Sequence, residues 1–163
     1  MKHSILSALA LFVCACTMTS CLSEAQSSPE IYLPTHMIRT TSDGLQDTIS
    51  VVDTLAAGDT VRLNVLLNGG FNSLTGFQAQ ASDAPALDLR LEVDSTLQKM
   101  LAAGSDPDKA TLVFQPEANL IVCTFWMRFV PQKAGTLPIQ MTVSNSAGKE
   151  FTPRSYTYSP VVR

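Results

Sequence analysis

Within residues 60–67, Val61, Leu63, Val65 and Leu67 stand on one side, with Arg62 and Asn64 on the other. A period of two is the pleat of a β-strand with one face on a core and one in water. The same period dominates from Ile31 to Val162, in runs separated by Gly, Asn, Asp and Pro. Several short strands at that spacing predict an all-β sandwich or barrel.

The punctuation sets the expected elements. Residues 31–38 form a weak first strand broken by Pro34, placed on a sheet edge because proline donates no ladder hydrogen bond. Residues 48–55 and 60–67 are expected to pair through the turn Ala56-Ala57-Gly58-Asp59. Strands follow at about residues 75–81, 87–93, 110–114, 120–130, 136–144 and 151–158. The run 120–130 is apolar on both faces: Ile121, Cys123, Phe125, Met127 and Phe129 on one, Val122 and Trp126 on the other. Such a strand is expected in the middle of a sheet with both faces covered, so Phe125 and Trp126 are predicted buried on opposite faces. One short crossover helix is expected. Ser95 and Gln98 fit a capping box, Leu97, Met100 and Leu101 share a face, and Gly104 suits the end.

The N-terminus specifies destination. Lys2 and His3 precede an apolar run from Ile5 to Val13, followed by Met18-Thr19-Ser20-Cys21. A basic start, a short apolar core and a small residue before the cut mark a secretory signal. The run falls short of the ~20 apolar residues that span a bilayer. The cysteine just after a small residue resembles the lipobox of bacterial lipoproteins, with Met18 where that family prefers Leu. The resemblance implies cleavage before Cys21 and acylation of its thiol, with Cys16 after Ala15 as the alternative site. Two or more acyl chains suffice for stable anchoring. Residues 1–20 then form the signal peptide. Residues 21–30, rich in Ser, Gln and Glu, read as a flexible tether, and residues 31–163 as a single domain.

A second resemblance lies in the C-terminal third. Phe129-Val130-Pro131, Ala134-Gly135-Thr136-Leu137-Pro138-Ile139 and Val143-Ser144-Asn145-Ser146-Ala147-Gly148 look like the late strands of bacterial immunoglobulin-like and PKD-like domains. The resemblance implies an immunoglobulin-like β-sandwich used for spacing, adhesion or ligand binding. Leu137 stands where that family often has Tyr, so no tyrosine corner forms there.

Composition excludes more than it selects. Net charge is −3 and no basic run exists, which argues against nucleic acid as a partner. Of the four cysteines, Cys14, Cys16 and Cys21 belong to the signal or anchor. Cys123 is left without a partner and reads as a small buried hydrophobe. His36 has no nucleophile motif to serve. One His and one Cys fall short of a zinc site. Asp83, Asp88, Asp106 and Asp108 lack the density of a calcium loop, and the carboxylates Glu92, Asp94, Glu117 and Glu150 are scattered along the chain. No catalytic residue, metal or cofactor is expected.

Trp126 and Arg128 share a strand face, a pairing that suits either a sugar platform or a core tryptophan whose neighbour reaches water; the core is favoured. The loop of residues 68–82 offers Asn68, Phe71, Asn72, Phe77 and Gln78 as ligand contacts, because long sandwich loops carry binding. The expected protein is a cell-envelope lipoprotein of a Gram-negative bacterium, lipid-anchored to the outer membrane and facing the periplasm or the surface. It would act as a non-catalytic binding or structural module for a glycan or an envelope protein. The alternative is a small envelope enzyme or enzyme accessory in polysaccharide utilisation.

Overall fold

The computed structural model describes residues 25–163. The signal sequence, Cys14, Cys16 and Cys21 lie outside the described residues. The chain is an all-β sandwich with one short α-helix among the described residues.

The larger sheet holds β1 (Glu30–Tyr32), β2 (His36–Thr40), β3 (Gln46–Ser50), β4 (Thr60–Asn68), β6 (Leu87–Glu92) and β8 (Val122–Pro131). Its order is β3-β2-β4-β8-β6, with β1 also beside β4. The smaller sheet contains β5 (Leu74–Ala81), β7 (Thr111–Val113), β10 (Ile139–Asn145) and β11 (Arg154–Tyr158), in the order β11-β10-β5-β7. A two-stranded piece joins β9 (Gly135–Thr136) to β12 (Val161–Val162). The helix α1 (Ser95–Gln98) lies on the path from β6 in one sheet to β7 in the other, the crossover expected from the sequence.

Alternation becomes burial. Val61, Leu63, Val65 and Leu67 on β4 have no exposed surface and face inward beside Phe125, Met127 and Phe129 of β8. The smaller sheet answers with Phe77, Leu112, Ile139, Met141 and Val143, all buried in the same core. The Phe77 and Phe125 rings meet with centroids 5.0 Å apart. Tyr158 holds the sheets together from the side, donating its hydroxyl to the Val51 carbonyl at 3.0 Å.

Four expectations are corrected. First, β3 does not pair with β4. It pairs with β2 through a turn in which Thr41 N donates to the Leu45 carbonyl and Gly44 takes φ +89°. The Ala56–Asp59 turn does form, with Ala56 N donating to Asp59 Oδ2 at 3.0 Å, but it leads into β4 from Leu55, which bridges to Val162. Asp53 accepts from Ser50 N at 2.8 Å in a turn that ends β3 before it could reach this corner.

Second, the edge placement holds for β1 alone. Pro34 lies in a break between two strands that follow the same side of β4: Ile31 faces Leu67 and Ile38 faces Arg62. The break loops out two residues, and β2 becomes internal, flanked by β3 and β4. Third, α1 is a single turn capped by Asp94, whose carboxylate accepts from Thr96 N and Leu97 N, not by Ser95. Gly104 has φ +100° but lies beyond the helix, in a turn.

Fourth, β8 is central, but only one face is covered. Phe125, Met127 and Phe129 are buried, Val122 is 51% exposed, and Trp126, Arg128 and Val130 are half-buried on the outer side. The smaller sheet and the core occupy the inner side, and no described element covers the other.

The expected tether is also shorter than composition suggests. Gln26 Oε1 accepts from Gly148 N at 2.7 Å, Ser28 Oγ accepts from both Arg154 Nε and Nη2, and β1 already begins at Glu30. Polar composition does not keep a segment solvated when a loop supplies matching donors and acceptors.

Candidate functional site

The two outer faces of the sandwich differ in chemistry. The smaller sheet shows water a neutral lattice of hydroxyls and amides: Gln140 faces Gln80 and Thr157, and Thr142 faces Gln78 and Ser155. Thr142 and Ser155 bond to each other at 3.0 Å. The larger sheet is charged and carries the single tryptophan.

Register builds that charged face. Arg62 of β4 lies directly across from Arg128 of β8, which lies directly across from Arg90 of β6. In the adjacent row Asn64 faces Trp126, and Trp126 faces Glu92. The Arg62 guanidinium sits 4.9 Å from the centre of the Trp126 ring. Diagonal neighbours on one sheet face are close enough for that contact, and a guanidinium over an indole is a favourable cation–π pair. Arg62 also grips Glu92, with Nη2 at 2.6 Å and Nε at 2.8 Å from Oε2. Asp88 serves two arginines, Arg90 Nη2 at 3.0 Å and Arg128 Nη1 at 3.6 Å. The result is a flat plate with an indole and three half-exposed guanidinium forks. Trp126 is therefore not the core residue expected from its apolar neighbours. The stem and head of Arg62 shield it instead.

The five loop residues do not converge. Phe71 lies at the tip of the β4–β5 turn, 76% exposed. Asn68 is committed to that turn, its Oδ1 accepting from Gly70 N at 2.9 Å. Asn72 is buried, its Oδ1 accepting from Ser27 N at 3.0 Å. Phe77 belongs to the core against Phe125 and cannot meet a ligand at the surface. Gln78 is exposed on the neutral face of the smaller sheet. What remains at the tip is an open cavity of about 470 Å³ lined by Ala25, Phe71, Asn72, Ser73, Asn119 and Ser146.

Two open cavities not foreseen in the sequence lie beside β11: one of about 250 Å³ between β1 and β11, and one of about 490 Å³ between β11 and the segments around Pro34 and Val51. Tyr156 lines both. Tyr32 and Tyr156 are each about half exposed there. Tyr32 donates its hydroxyl to Glu30. The alternation of Tyr156 and Tyr158 signalled a strand, but not which tyrosine would face out.

The remaining candidates are occupied structurally. Cys123 is buried, and burial pushes its thiol up to about 12. His36 is exposed, its Nδ1 2.9 Å from Thr35 Oγ1. Asp83 pairs with Lys133 and Asp106 with Lys109. Among the described residues no three His, Cys, Asp or Glu side chains gather as metal ligands, and no buried side-chain N or O atom lacks a hydrogen-bond partner. No protein-family model matches this chain, and no curated protein matches it.

Proposed function

We propose that this chain is a non-catalytic binding module of the cell envelope, anchored to the outer membrane through acylated Cys21 and engaging a glycan or protein partner on the outer face of its larger sheet. The observation that carries the proposal is Trp126, half-buried on a solvent-facing sheet with Arg62 stacked on its ring. Recognition surfaces favour aromatic side chains, which present large area at little entropic cost, and arginine, whose planar fork matches anionic groups. The loose likeness of residues 129–148 to immunoglobulin-like and PKD-like domains, whose roles include adhesion and ligand binding, supports the same reading. The buried polar side chains support it differently: Asp59, Asn72 and Asn145 are all spent on holding loops.

The test is a glycan array and an envelope pull-down with the purified protein and its Trp126→Ala variant. Binding that disappears in Trp126→Ala supports the proposal. Binding that survives moves the contact elsewhere, and turnover of any substrate refutes a non-catalytic role. For the anchor, Cys21→Ala should shift the protein from the membrane to the soluble fraction. Continued acyl labelling of that variant would transfer the site to Cys16.

A further inference from the structure

We infer that the row Arg62–Arg128–Arg90 selects an acidic polysaccharide, one bearing carboxylate or sulfate groups, as the ligand of this face. The inference rests on the binding-module proposal and adds the charge of the ligand to it.

Three arginines stand directly opposite one another in the register of β4, β8 and β6, their heads splayed to Glu92 from Arg62 and to Asp88 from Arg90 and Arg128. Like charges directly opposite in a sheet are destabilising, so such a row weakens the fold it sits in. The local acids do not balance it. Glu92 neutralises Arg62, while Asp88 is shared between Arg90 and Arg128 and stands farther from Arg128, at 3.6 Å. On β2 and β3 the row continues as Ile38 and Thr48, which carry no charge. The row therefore keeps one positive charge in surplus on a protein whose net charge is −3.

Arg62, Arg128 and Arg90 keep side-chain exposures of 39%, 26% and 44%, and Arg128, 3.6 Å from the shared Asp88, is the head least committed to a local acid. A guanidinium matches a carboxylate or sulfate with two parallel hydrogen bonds, a geometry that lysine does not offer. Because the three heads splay to both sides of the row, they meet acidic groups repeated along an extended polymer better than a lone anion. Trp126 beside the row is half-buried under the Arg62 guanidinium; an acidic group that draws Arg62 aside uncovers the indole for a sugar ring, which favours a polysaccharide over an acidic peptide.

The test measures binding of purified protein to polygalacturonate and dextran sulfate, with neutral dextran as control, at several salt concentrations. The variants are Arg128→Gln, Trp126→Ala and Lys133→Gln, the last removing a cation outside the row. The expected result is binding to an acidic polymer that weakens with salt, falls at least tenfold in Arg128→Gln and is unchanged in Lys133→Gln. Thermal stability of Arg128→Gln should equal or exceed that of the parent, because the middle of a like-charge row is relieved. Equal binding to neutral dextran, or equal loss in Lys133→Gln, overturns the inference. A glycan lost in Trp126→Ala but retained in Arg128→Gln overturns the inference and keeps the binding face. Absence of any glycan binding overturns the inference, and the pull-down then decides the face alone. An acidic peptide or nucleic acid outcompeting both polymers also overturns it.

Discussion

Asn145 Nδ2 donates to the Ser27 carbonyl at 2.8 Å and to the Gly69 carbonyl at 2.9 Å, tying the start of the described chain to the β4–β5 turn. Ser27 completes the knot: its N donates to Asn72 Oδ1, and its Oγ accepts from Phe71 N at 2.8 Å. Asn145 and Gly69 are buried, so the Gly69 carbonyl has no ready substitute in water, while Ser27 is half-buried.

Asn145→Ala should therefore cost about 1–3 kcal/mol and expose the N-terminal segment. Denaturant unfolding reads the first effect. Limited proteolysis near residues 25–30 reads the second, and unchanged protection there would show that the knot does not hold the segment.

Gly70→Ala tests the same knot from the other side. A Cβ at Gly70 would lie 2.0 Å from Ser27 Oγ, and φ is +67°. Gly44 has a comparable φ of +89° with open space around it. Gly44→Ala should cost the backbone strain alone, about 1–2 kcal/mol. Gly70→Ala should cost more and release the segment; equal losses would mean that Ser27 yields freely.

The two faces of β8 should respond unequally to truncation. Phe125→Ala removes a buried ring packed on Phe77 and should cost about 3–5 kcal/mol. Trp126→Ala removes a half-buried ring whose main partner is a guanidinium, and should cost about 1–2 kcal/mol. Equal destabilisation would place Trp126 in the core after all.

Alkaline pH should unfold the domain through two buried acids. Burial pushes both the Cys123 thiol and the Tyr158 hydroxyl up to about 12. Unfolded, these groups lose their protons near 8.5 and 10. Between those values and about 12 the folded state holds more protons, so stability falls as pH rises through that window. Cys123→Ala should flatten the lower part of the slope and Tyr158→Phe the upper part, as read by denaturation midpoints against pH. A thiol reagent at pH 8 should label Cys123 only after denaturant is added.

Local alternation made the inward faces legible, because side-chain direction in a strand is fixed by position: Val61 to Leu67 and Phe125 to Phe129 lie as expected. Phe77 obeyed the same rule, alternating with Gln78 and buried beside Ala79, but the preceding glycines and asparagines made its surroundings look like a loop. Strand partners were less legible, since pairing is decided between segments and not within them; β3 pairs with β2 across the short turn at residues 41–45, whose Thr41 N to Leu45 hydrogen bond the alternation does not encode. The arginine row could not be read at all, since it exists only in the register of β4, β8 and β6. Nor could Ser and Gln composition separate a free linker from a strap whose partner Asn145 lies 118 residues away.

The strap also sets a height. On an anchor at Cys21, five residue steps reach Gln26, at most about 17 Å of extended chain. The nine-residue β4 that carries Arg62 is about 30 Å long. Under the proposed anchor at Cys21, the turn around Phe71, which Ser27 ties to the start of the described chain, would lie toward the bilayer, and the hairpin at residues 41–45, at the other end of β4, would lie away from it. The arginine row, partway along β4, would stand between the two. A polymer lying parallel to the bilayer would meet it edge-on, whereas one approaching from above would meet the hairpin.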